Sequence, residues 1–291
     1  MALSEIDLDA LYPAEALAAL EAAGDKQAIE GLGGKVVWRV WGEGEPLVLL
    51  HGGYGTWAHW VRVIQPLARH RRLLVPDMPG FGESDDAPEG GDPETTASRI
   101  AESLRRSLEP LLAEGERPAV CGFSFGGVIS GHLAKQLGTR CAKLILTAPG
   151  GLGARRGPMP DLIRRTPGMT PDEVEAAHRR NLEILMLADP ASVDPLALHI
   201  QKGNTDQHRV KSRPISATGT LAHALEGAPY PVKALWGDRD ATAGPYLAER
   251  EEILKRAVPS AEFRLEPGAG HWIMYERPER YVELLEDLLG G

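Results

Sequence analysis

The sequence predicts an α/β protein built on a mostly parallel, doubly wound β-sheet, with a helical lid inserted after the sixth strand. Three observations carry that prediction. Short continuous apolar runs such as Leu47-Val48-Leu49-Leu50 and Leu144-Ile145-Leu146 are what strands buried on both faces require. Stretches with helical apolar spacing lie between such runs, so strand and helix alternate along the chain. Finally, Gly122-Phe123-Ser124-Phe125-Gly126 follows the apolar Ala119-Val120-Cys121 and precedes a helix-like segment. A serine held between two glycines at a strand-to-helix turn is a feature of such sheets.

Residues 11–23 read as an Ala/Leu helix with Pro13 as its start signal, part of a helical extension over 1–27. Residues 28–30 and 35–41, joined by the Gly31–Gly34 turn, suggest a hairpin. A buried strand at 47–50 runs into His51-Gly52-Gly53, a helix spans 57–69, and another strand covers 72–76. The turn-rich Asp77-Met78-Pro79-Gly80-Phe81-Gly82-Glu83-Ser84 follows, expected as a tight loop bordering the pocket. Residues 93–114 place Leu104, Leu108, Leu111 and Leu112 on one helical stripe. After the serine turn come a helix to about Leu137 and a strand at 143–148. From 153 to 229 prolines recur and no strand-like run appears, with helical pieces near 172–187 and 194–202. This is a lid over the carboxyl edge of the sheet, between core segments 28–152 and 230–291. Strands at 232–236 and 262–265 and helices at 245–257 and 278–289 complete the core.

Bulk properties narrow the function. The 291 residues are 43% apolar and 25% charged, enough for a sizeable core. A net charge of −9 argues against nucleic acid or an anionic membrane surface as partner. No apolar run approaches the roughly 18 residues of a membrane helix. The opening Met1-Ala2-Leu3-Ser4-Glu5-Ile6-Asp7 is acidic and lacks the pattern of a signal peptide, so the expected compartment is cytoplasmic. Cys121 and Cys141 read as small buried hydrophobes, not a bridge. Metal-ligand spacing is absent, and neither metal nor cofactor is expected.

Function in an open parallel sheet collects at the carboxyl ends of strands. Four such ends carry polar or glycine-rich loops: His51-Gly52-Gly53, Ser124, Gly237-Asp238-Arg239-Asp240, and Gly268-Ala269-Gly270-His271-Trp272. A serine hydroxyl is a poor nucleophile near neutrality. It needs a base within hydrogen-bond reach, and the base needs an anion to hold its tautomer. Ser, Asp and His stand here in that chain order, with either Asp238 or Asp240 as the acid. The N–H of Phe125, opening a helix, is placed to meet an oxyanion. A chance pentapeptide in a chain with 33 glycines is the bland alternative, and the joint pattern weighs against it.

On these motifs the chain resembles the α/β-hydrolases: His51-Gly52-Gly53, Asp77-x-Pro79-Gly80-x-Gly82-x-Ser84, Gly122-x-Ser124-x-Gly126-Gly127, Gly237-x-x-Asp240 and Gly270-His271-Trp272 fall in the family's order. The resemblance covers about residues 28–290. It implies Ser124 as nucleophile, His271 as base and acid, and Gly53 and Phe125 N–H groups as oxyanion hole. The family's register favours Asp240 as the acid, with Asp238 a turn residue and His51 holding the oxyanion loop. Tyr54, Phe123 and Trp272, with Trp57, Phe81 and Phe125 beside them, are candidates for an apolar pocket or equally for core packing.

A serine at this turn implies attack on a carbonyl carbon. The expected activity is a serine hydrolase cleaving a small carboxylic ester or related carbonyl substrate through an acyl-enzyme. Residues Ala148-Pro149-Gly150-Gly151-Leu152-Gly153 and His271-Trp272 are similar to the meta-cleavage product hydrolases, which cut a carbon–carbon bond in dienoate diketones. Phe123, where those enzymes carry Asn, and Leu198-His199-Ile200-Gln201, the segment nearest to where they carry Arg-Trp in the lid helix, depart from that pattern, so a substrate carboxylate would need another cation; Arg209 and Arg213 are candidates, against the alternative of a solvated lid surface. Acyl transfer and perhydrolysis use the same residues. A non-catalytic ligand-binding module is the alternative of another class. Relatives are often dimers, so a homodimer stands beside the monomer as an expectation.

Overall fold

A computed structural model describes residues 2–290. Helix α1 (Pro13–Ala22) precedes strands β1 (Asp25–Glu30), β2 (Lys35–Trp41) and β3 (Glu45–Leu50), then α2 (Val61–Ala68) and β4 (Arg71–Pro76). Next come α3 (Pro93–Leu108), β5 (Ala119–Phe123), α4 (Phe125–Leu137) and β6 (Lys143–Thr147). The inserted segment carries α5 (Pro171–Leu185), α6 (Pro195–Asp206), α7 (Ser212–Ser216) and α8 (Thr220–Leu225). The core resumes with β7 (Val232–Gly237), α9 (Leu247–Ala257), β8 (Glu262–Glu266), α10 (Ile273–Glu276) and α11 (Pro278–Gly290). Strand β1 starts three residues before the sequence boundary at 28, and α3 gives way at Leu108 to a short 3-10 turn, Glu109–Leu111, that contains Pro110.

The eight strands form one sheet in the order β1-β2-β4-β3-β5-β6-β7-β8. Strands β1, β2 and β4 pair antiparallel, while every pair from β4 through β3 to β8 is parallel. The apolar runs explain this directly. Leu47, Val48, Leu49, Leu50 and Leu144, Ile145, Leu146 are all fully buried, so these strands have no wet face. Helices α2, α10 and α11 pack together as one covering group, and α3, α4 and α8 as another.

Strand order reverses between β3 and β5. From β3 the chain moves outward to β4, then returns to lay β5 on the other flank of β3. Loops at such a reversal splay apart and leave a crevice at the carboxyl ends of the strands. Register brings those ends level, with Leu50 opposite Gly122, Phe123 opposite Thr147, and Gly237 opposite Glu266.

The inserted segment is fastened to the core at several points. Thr170 and Glu173 form a reciprocal cap on α5, with Pro171 in its first turn. Asp194 caps α6 and also receives Arg62 at 2.6 Å and the Tyr275 hydroxyl at 2.5 Å. The segment does not lie wholly over the sheet edge. Its last helix, α8, packs on α4, where a Cβ on Gly131 would stand 2.3 Å from Leu221 Cδ1.

Candidate active site

Ser124 sits between β5 and α4 at φ 54°, ψ −114°, a conformation strained for any residue with a side chain. Space around it explains the glycines. A Cβ on Gly122 would stand 2.3 Å from Gly126 O, and one on Gly126 would stand 2.3 Å from both Leu50 O and His51 O. The other two non-glycine residues at positive φ among the described ones, Tyr54 and Ala148, line the same cavity as Ser124. Local strain is thus concentrated at one place.

That cavity, about 470 Å³, opens at the carboxyl ends of β3, β5, β6 and β7. His271 Nε2 lies 2.9 Å from Ser124 Oγ, and His271 Nδ1 lies 2.8 Å from Asp240 Oδ2. Both His271 and Asp240 are buried. Burial opposes ionisation of Asp240. The facing His271 and the donors of Thr242 outweigh it, and the carboxyl is held below the usual range. Thr242 N–H reaches Asp240 Oδ1 at 2.7 Å. Asp238 instead accepts Gly268 N–H at 2.7 Å in the neighbouring turn.

Gly53 and Phe125 both line the cavity beside Ser124. The N–H and C=O of a trans peptide point in opposite directions, so fixing one aims the other. Ser124 O, in the same peptide as Phe125 N–H, accepts Gly127 N–H at 3.0 Å and Gly150 N–H at 3.1 Å. Gly52 O, in the same peptide as Gly53 N–H, pairs with His51 Nδ1 at 2.8 Å. Met78 N–H donates to His51 Nε2 at 3.0 Å, which puts the imidazole proton on Nδ1. Burial lowers the His51 pKa to about 4, so the ring stays neutral in that tautomer.

His59 is a member of this arrangement that sequence reasoning missed. Its Nδ1 accepts Gly52 N–H at 3.1 Å, and burial holds it well below the usual imidazole range. Gly52 is therefore gripped at both its N–H and its C=O by two neutral histidines. Nothing in Trp57-Ala58-His59-Trp60 signalled this, because the partner is defined only once the loop closes.

Tyr54, Phe123 and Phe125 lie on the cavity wall with Gly53. Trp272 does not, and this corrects the sequence expectation. The start of α10 turns its side chain inward, where it is fully buried, stacks on Tyr275 and donates Nε1–H to His59 O at 2.8 Å. Trp57 and Phe81 are also interior residues away from the wall. The loop 77–84 stands behind the site and contributes no wall residue. Asp77 there binds buried Arg39 at 3.0 Å and Trp57 N–H at 3.0 Å.

The arginines divide. Arg209 is engaged with Asp86 at 2.6 Å and with Ser84 O, so it ties the inserted segment to the 77–86 loop. Arg213 lines the cavity with its guanidinium 5.6 Å from the Tyr54 ring centroid. Arg156, absent from the sequence reading, lines it too. Desolvation, and next the positive charge of Arg213, pull Arg156 below the usual guanidinium range. Neither guanidinium makes a hydrogen bond or ion pair within the described residues.

A strained serine and a buried imidazole–carboxylate pair thus meet at one crevice at the carboxyl ends of the strands. The chain belongs to the α/β hydrolase family, whose model matches residues 47–284. It is 30% identical over 249 residues to the dihydrolipoyllysine-residue acetyltransferase component of the acetoin cleaving system of Pseudomonas putida, across 81% of this chain and 61% of that protein. The chain thus spans about three-fifths of that relative's length. It is 27% identical over 266 residues to the 2-hydroxy-6-oxo-6-phenylhexa-2,4-dienoate hydrolase of Burkholderia cepacia, across 86% of this chain and 89% of that protein. Among solved structures, a carboxylesterase from Bacillus subtilis shares the fold with a TM-score of 0.73 at 18% identity, covering 96% of each chain.

Proposed function

We propose that the chain is a serine hydrolase cleaving a small carboxylic ester, or a related carbonyl compound, through an acyl-enzyme. The observation that carries this reading is the hydrogen-bonded line Asp240–His271–Ser124, with steps of 2.8 and 2.9 Å, ending at the cavity wall.

The chemistry follows from that line. Ser124 Oγ forms a bond to the substrate carbonyl carbon as its proton passes to His271 Nε2. The carbonyl π-electrons move to oxygen, and the Gly53 and Phe125 N–H groups stabilise the oxyanion. Asp240 stays ionised, holds Nδ1–H and stabilises the imidazolium. Collapse breaks the bond to the leaving oxygen, which takes the proton from Nε2 and departs as an alcohol. Water, losing its proton to Nε2, then attacks the acyl-enzyme. Breaking the Ser124 ester bond returns that proton to Oγ and releases the acid. The test is turnover of an ester panel by the parent and by Ser124→Ala.

A second reading rests on Arg156 and Arg213. Two cations without acidic partners in the cavity wall of a protein of net charge −9 favour a substrate carrying a carboxylate. Asp161 also lines the cavity and leaves a positive excess among these three groups. The Burkholderia cepacia relative is named for a dienoate, which makes carbon–carbon hydrolysis the variant to test on this chain. Loss of a dienoate chromophore, reduced in Arg156→Ala and Arg213→Ala chiefly through KM, supports it. Turnover of neutral esters with no action on the dienoate excludes it.

A further inference from the structure

Both chain neighbours of His271 are tied to the inserted segment. Trp272 N–H donates to Met186 O at 2.8 Å. Gly270 N–H donates to Glu276 Oε2 at 2.6 Å, and the other oxygen of that carboxylate accepts Asp189 N–H at 2.6 Å. Bonds to an ionised acceptor are roughly twice as strong as neutral ones. The contact is also close. A Cβ on Gly270 would stand 2.6 Å from Ala188 N and 2.9 Å from Met186 O. On its other side the loop presses on the end of β7, where a Cβ on Gly237 would stand 2.1 Å from Ala269 O. The histidine loop is therefore sandwiched between the sheet and residues 186–189. Met186, just past the end of α5, and Leu185 are cavity-wall residues.

We propose that Glu276 is a positioning residue that couples the inserted segment to His271, so that the Leu185–Met186 wall and the imidazole move as one body. Asp240 Oδ2 at 2.8 Å and Thr242 Oγ1 at 3.5 Å face His271 Nδ1, and both act on the ring rather than on the backbone that carries it. Where the ring's own backbone stands is set by residues 270–272, and those are bound to the wall. A substrate seated against Leu185 and Met186 is then felt at the imidazole, which must face Ser124 Oγ in one step and the leaving oxygen in the next.

The first test rests on the serine hydrolase reading. In Glu276→Ala, kcat/KM is measured for a p-nitrophenyl ester and an ethyl ester of the same acid, per site titrated with a fluorophosphonate. p-Nitrophenolate leaves without a proton, whereas ethoxide needs one from His271 Nε2. A displaced imidazolium therefore harms the ethyl ester more, and the p-nitrophenyl to ethyl ratio rises about tenfold, a modest part of what general acid catalysis supplies. Simple destabilisation lowers both rates alike, and an unchanged ratio overturns the proposal.

The second readout needs no activity and separates the coupling from the hydrolase reading. It is amide hydrogen exchange at Trp272, whose acceptor, Met186 O, Glu276 does not touch. Coupling predicts that protection at Trp272 falls together with that at Asp189. A Trp272 amide as protected as in the parent overturns the proposal even if the parent hydrolyses nothing. Should Glu276→Ala not fold, Glu276→Gln, which keeps one acceptor oxygen, decides by the same readouts with smaller changes in the same direction.

Discussion

His271 Nε2 and Ser124 Oγ, 147 residues apart in the chain, stand 2.9 Å from each other across the carboxyl ends of two strands in one sheet. Strands β7 and β8, which lead to Asp240 and His271, lie two and three places from β5 in the sheet. Parallel register levels their ends, and the loops need only lean inward.

Ser124→Ala is expected to lower kcat by about 10⁴-fold or more and leave a residual rate from the oxyanion hole and binding alone. Circular dichroism and the melting temperature should stay close to the parent's, because the change removes a single oxygen at the cavity wall. Steady-state turnover of p-nitrophenyl esters checks it.

The two aspartates of the 237–240 turn separate cleanly. Asp240→Asn leaves the shape but replaces the acceptor facing His271 Nδ1, and a loss of about 10⁴ in kcat is expected. Asp238→Asn still offers an oxygen to Gly268 N–H and should remain near the parent. A larger loss at 238 than at 240 in side-by-side kinetics contradicts the assignment.

Gly126→Ala tests the close packing beneath the serine turn. The new Cβ meets two backbone carbonyl oxygens at 2.3 Å, neither of which can swing away as a side chain would. Destabilisation of at least about 2 kcal/mol is expected, read by urea unfolding. Stability equal to the parent's would contradict the close approach.

Acid should weaken the fold well before the carboxylates titrate. Burial lowers the pKa of His51 and of His132 from 6.5 to about 4. Below pH 6.5 the unfolded chain binds protons that the native state refuses, so the contribution of these two histidines falls with pH down to about 4 and then levels. Each histidine accounts for roughly 3 kcal/mol over that window. Asp240, depressed in the fold, acts at lower pH still. Denaturant unfolding between pH 7 and 4.5 should show the slope, and His132→Asn should flatten it.

The hydrogen-bonded line Asp240–His271–Ser124 was legible because its parts are local. A glycine-framed serine, an aspartate just past a strand and a glycine-preceded histidine each announce themselves within a few residues. What could not be read depends on contacts made at long range. Glu276 meets Asp189 across 87 positions, and Arg156 faces the cavity only because the chain after β6 folds back over it. Trp272 shows how adjacency misleads. It follows His271 in sequence, yet one turn of backbone sends it into the core to bond His59 O. The turn-rich loop 77–84 likewise predicts a pocket border, but buried Arg39 draws Asp77 inward, away from the cavity.

Mass spectrometry of the protein after a fluorophosphonate puts the central claim to its most direct trial. A single phosphonyl adduct on Ser124, formed by the parent and abolished in His271→Ala, is the predicted result. An unlabelled Ser124 in folded protein, or an adduct that forms as fast without His271, would contradict it.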